Sequence, residues 1–278
     1  MKITILGSAA AEAVPSLWCN CTYCRQAVER GGKDFRRRTA YLIDRDTLVD
    51  FGPDIADQCR DAALDWNLLE RVLITHPHSD HCNVTDMLWR QPGFAQNVRP
   101  LEMLGTAEVL AYITQRLDAL GKPEDADTCE YLKLTYRTIE PNSTLTSGDL
   151  EILAPKANHC PGALNFILRR GGKSVLIAND TAIWEDASWQ FAAGAGVDLA
   201  IIDSTAALRY PDNNGGHMGV DVVCRFRDRL LQNGILKPDG MAIANHFSHN
   251  GNSLHADLEA FYTPHGIAVG YDGMTIEL

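Results

Sequence analysis

Strand-like and helix-like segments interleave along both halves of this chain, which predicts sheets covered by helices, in the α/β or α+β class. Two observations carry that prediction. Short apolar runs such as RVLIT at 71–75 and DLAIID at 198–203 have the length and composition of strands. Between such runs lie segments with apolar residues three and four apart, clearest at Val109, Leu110, Ile113 and Leu117. The 278 residues are 45% hydrophobic and 22% charged, enough for a substantial core. No low-complexity tract, long run of like charge or Pro/Ser-rich break divides them, so a single domain over 1–278 is expected.

Taken in order, residues 2–6 form a first strand, and 38–43 and 47–51 form a hairpin turned by Asp44-Arg45-Asp46. A helix over 54–64 follows Pro53, then comes the strand at 71–75 and a helix over 107–120. The middle is mostly β, at 132–140, 149–153, 164–168 and 174–178, followed by the strand at 198–203. Helices over 220–231 and 254–262 alternate with late strands at 241–246 and 267–271, and Ser253 is placed to cap the last helix.

Composition excludes some function classes. The formal net charge of -11 argues against a large polyanionic partner, because phosphate contacts need clustered Lys and Arg. Arg36, Arg37 and Arg38 make the one compact basic patch, read as a solvated turn. MKITILGS is too short and too regularly alternating for a signal peptide, and no apolar run approaches the ~20 residues of a membrane span. The cysteines are Cys19, Cys21, Cys24, Cys59, Cys82, Cys129, Cys160 and Cys224. Without an export signal they do not suggest a disulfide framework, and a cytoplasmic location is expected. Cys59 and Cys224 sit in apolar helical patterns and read as small core residues.

The segment richest in chemistry is Thr75-His76-Pro77-His78-Ser79-Asp80-His81, just after RVLIT. An exit loop of this kind can turn three imidazoles and a carboxylate toward one point, a donor set suited to zinc, iron or manganese. The pattern HxHxDH after an apolar strand resembles the signature of metallo-β-lactamase fold hydrolases. That resemblance implies an αββα four-layer sandwich with further ligands at the ends of later strands. Candidates stand in the expected order: His159 in ANHC, Asp180 in LIAND and His246 in AIANHF. Carried over by position, His76, His78 and His159 would hold one divalent metal. Asp80, His81 and His246 would hold a second, and Asp180 would bridge the two. The ligand types admit manganese, zinc or iron equally. Asp80 stands where β-lactam-cleaving members generally carry a cysteine, which speaks against antibiotic hydrolysis.

His217, in the glycine-flanked loop NGGHMG, is either a surface residue or a participant in the site. In phosphodiesterase branches of the family a histidine in a comparable loop lies beside the metals, where it protonates the leaving alkoxide or positions the phosphate. The resemblance gives His217 that place, the proton-donor role being the favoured one, with Asp80 also placed among the catalytic residues.

LWCNCTYC, residues 17–24, adds three thiols, one short of a closed tetrahedral zinc site. They are either free or redox-active thiols, or part of a zinc site completed from elsewhere. A C-x-C-x2-C loop after the first strand resembles the cyclic phosphodiesterases of the carbon–phosphorus lyase pathway. There three cysteines bind a structural zinc with a histidine three residues beyond the last active-site ligand, which here is His249. His255 and His265 are reserve candidates for that ligand and otherwise surface residues.

The resemblance thus implies a metal-dependent phosphoric diester hydrolase acting on a small cyclic phosphate, 5-phosphoribosyl 1,2-cyclic phosphate, in phosphonate metabolism. It also suggests a homodimer, while the net charge and the lack of a long apolar run lead to the expectation of neither a nucleic-acid nor a membrane partner. The rivals are a lactonase or thioesterase on the same fold, a tRNA 3′-end nuclease, and a protein like those of pyrroloquinoline quinone biosynthesis. The stretch 91–130 is longer than the fold requires, and is either a peripheral helix or a lid or oligomer contact.

Overall fold

The computed structural model describes residues 1–121 and 130–278. Residues 122–129 of the 91–130 stretch, Cys129 among them, lie outside the described residues. Two seven-stranded mixed sheets face each other. The first runs in the order β14-β1-β2-β3-β4-β5-β6: β14 Thr275–Glu277, β1 Lys2–Gly7, β2 Ala40–Ile43, β3 Thr47–Val49, β4 Arg71–Leu73, β5 Leu101–Gly105 and β6 Leu134–Thr138. The second runs β13-β12-β11-β10-β9-β8-β7: β13 Ala268–Val269, β12 Leu236–Asn245, β11 Val197–Asp203, β10 Lys173–Ala178, β9 Phe166–Arg170, β8 Leu150–Ala154 and β7 Ser143–Ser147. In each sheet an antiparallel part passes into a parallel part, at β3–β4 and at β10–β11.

Both faces of each sheet are covered, which explains why the strands read as continuous apolar runs. Side chains alternate between the two faces. Tyr41, Ile43 and Leu73 enter the core shared with Ile152, Phe166, Ile177 and Ile201 of the second sheet. Leu42, Leu48 and Val72 turn outward onto α2 (Ile55–Asp61), α3 (Val84–Met87) and α4 (Ala107–Ala119). On the far side, α5 (Asp186–Ala192), α6 (Val220–Gln232) and α7 (His255–Tyr262) pack on the second sheet. The helix α6 buries Val220, Val222, Val223, Phe226 and Leu230, an apolar stripe at helical spacing. The result is the four-layer αββα sandwich of the metallo-β-lactamase fold. Among the described residues, no helix is long and apolar enough to cross a membrane.

Four expectations are corrected. Arg36 is not on a solvated turn: it is 1% exposed. Its guanidinium donates to Ser8 Oγ, to the Gly270 carbonyl and to His255 Nδ1 at 2.9, 2.7 and 3.0 Å, and lies over the Phe247 ring. Arg37 and Arg38 pair with Asp272 and Asp54. His255 is buried too, between Arg36 and Glu259. Ser253 does not cap the last helix, because its hydroxyl donates to the Gly251 carbonyl and accepts from Leu208 N–H. The strand expected at 164–168 lies two residues later, as β9.

The His255 contacts fix one tautomer, with Nδ1 accepting from Arg36 and Nε2–H donating to Glu259. Burial, and then the neighbouring Arg36 charge, hold its pKa below the ordinary histidine value. As pH falls, the unfolded chain takes up this proton first, so stability declines below about pH 6.5. Calorimetry is expected to show the melting temperature falling more between about pH 7 and about pH 5.5 in the native chain than in His255→Gln. Equal declines would exclude His255 as the group responsible.

Candidate metal centre

The chemistry collects where strands of both sheets end, the usual crevice for ligands in sheets with parallel strands. Thr75 and His76 follow β4, Asp180 follows β10, and His246 follows β12. Asp50, one residue past β3, belongs to the same cluster. Asp50, Asp180 and His246 have positive φ, at 68°, 49° and 64°. This left-handed step turns the chain abruptly past the strand and costs a side-chain-bearing residue about 1–2 kcal/mol. The two ends in the second sheet share a design. In Ala178-Asn179-Asp180 and Ala244-Asn245-His246 the asparagine amide donates to the hydroxyl of Tyr41, from the opposite sheet, at 2.8 Å for Asn245. Gly52 allows the loop carrying Asp80 to approach, since a Cβ there would stand 2.0 Å from the Asp80 carbonyl oxygen.

His76, His78, Asp80, His81, His159, Asp180, His217 and His246 all fall within this cluster of neighbouring donor groups. His76 Nε2 stands 2.9 Å from His78 Nδ1, which is 3.4 Å from His159 Nε2. One oxygen of Asp180 faces this trio, 4.0 Å from His76 Nε2 and 3.9 Å from His159 Nε2. The other faces His81 Nε2 at 3.2 Å and His246 Nε2 at 3.0 Å, with Asp80 Oδ2 3.0 Å from His81 Nε2. Asp180 is thus the hinge between two groups of donors.

The outer nitrogens of these rings are held by buried partners, which determines what the inner ones can do. Thr75 donates its hydroxyl proton to Asp50, so it accepts from His76 Nδ1–H. His81 Nδ1–H donates to Asp50 at 2.6 Å, and His159 Nδ1–H donates to the Gly216 carbonyl at 3.1 Å. Thr205 Oγ1, which donates to Asp203, accepts from His246 Nδ1–H at 2.8 Å. In their neutral forms these rings present lone pairs at the inner nitrogens. Against burial, the carboxylates around His81 and His246 raise both pKa values, so each inner position favours a positive charge, proton or metal. His81 Nε2, His246 Nε2 and Asp180 Oδ2 are buried without a hydrogen-bond partner. Lone pairs facing a carboxylate in a buried site are costly unless a cation lies between them. The donor set fits two divalent cations.

Electrostatics follow the same plan. Burial works against both charges, yet His246 and His81 hold Asp180 ionised well below the usual carboxylate range. His76 is pushed down by burial and by the neighbouring His81 charge. His217 Nδ1–H donates to Asp203 at 2.9 Å, and its ring stacks on that of His246. Burial opposes protonation there, but the Asp203 charge and hydrogen bond raise the His217 pKa to about 9. Asp203 is fully buried and also accepts from the N–H groups of Asp180, Thr205 and Met218.

Sequence reading does not single out Asp50, Asp203, Thr205 or Cys160. For Asp203 a signal exists, because DLAIID ends in an acid as LIAND does, and β11 lies beside β10. Asp50 sits in an ordinary hairpin pattern that carries no such mark. The helix α4 buries Val109, Ile113 and Leu117 as a covering helix, and Thr106 ties its start to the His159 loop through the Gly162 carbonyl.

The three thiols converge on His249. Cys19, Cys21 and Cys24 Sγ lie 3.5, 3.9 and 3.6 Å from its Nδ1. Zinc–sulfur and zinc–nitrogen bonds of ordinary length set a tetrahedral edge of about 3.6 Å, so the four donors fit one zinc ion. His249 Nε2 faces Glu12, which also takes the Ser248 hydroxyl. Cys21 caps α1 (Thr22–Arg30), which carries Cys24, and accepts from Cys24 N–H. Cys21→Ser is expected to lower zinc content by about one ion per chain and the melting temperature by about 5 °C or more. Unchanged zinc content and melting temperature would remove this site.

Comparison with known proteins places this geometry. Solved structures similar across the whole chain include zinc-bound PqqB from Methylobacterium extorquens, with TM-score 0.77 and 19% identity, covering 100% of both chains. Another is a diphosphatase from the PhnP family, with TM-score 0.75 and 17% identity, covering 100% of this chain and 97% of that one. Among curated relatives, an octanoyltransferase of Porphyromonas gingivalis is 27% identical over 99% of this chain, and a ribonuclease Z of Aeropyrum pernix is 30% identical over 43% of it. The matches span 51% and 34% of those two proteins, so the chain corresponds to about half or less of their length. The beta-lactamase superfamily domain matches residues 45–233, well over half of the chain, and the protein belongs to that superfamily.

Proposed function

We propose that this protein is a metal-dependent phosphodiesterase acting on a small cyclic phosphate, with 5-phosphoribosyl 1,2-cyclic phosphate as its substrate. The observation that carries the reading is the His217–Asp203 pair beside a two-part donor cluster hinged on Asp180. His76, His78 and His159 would hold one cation and Asp80, His81 and His246 the other, with manganese, zinc or iron all compatible with these donors. When bound, two such cations supply Lewis acidity toward phosphoryl oxygens and a water acidic enough to attack at neutral pH.

The chain's own residues do the rest. Asp203 holds the His217 ring through Nδ1 and favours its charged form, leaving Nε2–H for the substrate. Water oxygen bonds to phosphorus and its proton goes to solvent. The ester P–O bond breaks, and the departing oxygen takes the proton from His217 Nε2. An alkoxide is a poor leaving group without that proton. A thioesterase needs no such donor, because a thiolate departs without a proton. The diphosphatase and ribonuclease Z among the similar proteins act on phosphorus, which agrees with the reading. The cysteine zinc site would hold the segment carrying His246 in place.

Steady-state hydrolysis by the metal-loaded protein tests this, comparing a cyclic ribose phosphate, bis-p-nitrophenyl phosphate, a homoserine lactone and a thioester. Phosphodiester turnover that vanishes in Asp80→Ala is the expected result. Turnover of the lactone or thioester alone would overturn it.

A further inference from the structure

Cys160 is a chemical group that the reaction above does not use. Its thiol belongs to the same close cluster as the ligand nitrogens of His76, His78 and His159, all within 4.8 Å of one another. The tetrahedral edge of about 3.6 Å set by zinc–nitrogen and zinc–sulfur bonds falls inside this limit, so the four donors can close on one ion. A second observation points to the same place. The tautomers fixed by Thr75 and by the Gly216 carbonyl make His76 Nε2 and His159 Nε2 acceptors, and both turn to His78 Nδ1, at 2.9 and 3.4 Å, so the three imidazoles converge beside the thiol. No hydrogen bond among the described residues engages the Cys160 thiol.

The loop is also tightly held. Cys160 O accepts from Ala163 N–H, Ala163 O accepts from Ala157 N–H, and Gly162 O accepts from Thr106. Cys160 directly follows His159, so one short, tied segment presents both an imidazole and a thiol to the cluster.

We infer that Cys160 is a fourth protein donor on the three-histidine side, making it a site of three nitrogens and one sulfur. The inference rests on reading the cluster as a metal centre. A thiolate donor shifts preference toward zinc and similar softer cations and away from manganese, which favours oxygen ligands. The two halves of the centre would then differ: sulfur on one side, and the oxygens of Asp80 on the other.

Two measurements test it without reference to turnover. In the first, the native protein is reacted with a thiol-specific alkylating reagent, either chelated or loaded with zinc alone, and each cysteine is followed by peptide mass spectrometry. Zinc is expected to slow modification of Cys160 by about ten-fold or more while leaving Cys224 unchanged. In the second, cobalt(II) is loaded into the native chain and Cys160→Ser. Sulfur-to-cobalt absorption is expected to fall by about one quarter, one thiolate of four, with cobalt content unchanged. Equal cobalt absorption and equal Cys160 reactivity, with the histidine cluster filled, would overturn the inference while leaving the metal centre intact. A histidine cluster that takes up no cation would overturn both.

Discussion

In Asp180→Ala, phosphodiester hydrolysis is expected to fall by at least about 10³-fold, and metal content to fall by two ions per chain, with the cysteine site still filled. The size of the effect follows from its geometry. One carboxylate oxygen faces His81 and His246 at 3.2 and 3.0 Å, and the other faces His76 and His159 at about 4 Å. Removing the side chain takes the shared anion from both donor groups and leaves a buried set of imidazoles without their counter-charge. Losing cation binding forfeits several kcal/mol of transition-state stabilisation, which is three or more powers of ten in rate. Metal analysis and a melting curve separate this from simple unfolding. Retention of both active-site ions with near-native turnover would exclude Asp180 as the bridge.

The second large effect concerns proton delivery. His217→Gln is expected to lower kcat by about 10²–10³-fold on an alkyl phosphodiester, with little change in KM and full metal content. The same substitution should cost much less on bis-p-nitrophenyl phosphate, because p-nitrophenolate departs without a proton. Asp203→Asn should follow the same pattern, since Asp203 both orients His217 and favours its protonated form. A uniform loss on both substrates would assign His217 to phosphate positioning instead of acid catalysis.

The residues that carry this chemistry are unevenly visible in sequence. THPHSDH is legible because four metal-binding side chains seldom crowd into seven residues unless they share a cation. Asp180 and His246 each end an apolar run, and His159, which lies past one, is marked only by the family resemblance. The groups that orient them are not. Asp50 is a single acid in a hairpin, Thr205 a single hydroxyl in a loop, and each becomes functional only when β3, β4, β11 and β12 are set side by side. The Arg36–Arg38 run misleads for a related reason. A guanidinium can be buried when Ser8, the Gly270 carbonyl and His255 accept its protons, and those partners come from the two ends of the chain. Periodicity shows sheets covered by helices and no more, the four-layer order comes from the family resemblance, and short elements such as β7 and α5 carry too little pattern to stand out. The offset of β9 by two residues reflects the polar arginines at its end, which an apolar count omits.

The left-handed backbone at Asp50, Asp180 and His246 also sets a price on this site that selection must keep meeting. Glycine at any of the three would relieve the steric cost, but it would also strip buried groups of their partners, since Asp50 accepts from Thr75 and His81, and His246 donates to Thr205. Any attempt to toughen this protein should hold those three residues fixed, because strain, packing and chemistry meet at each of them.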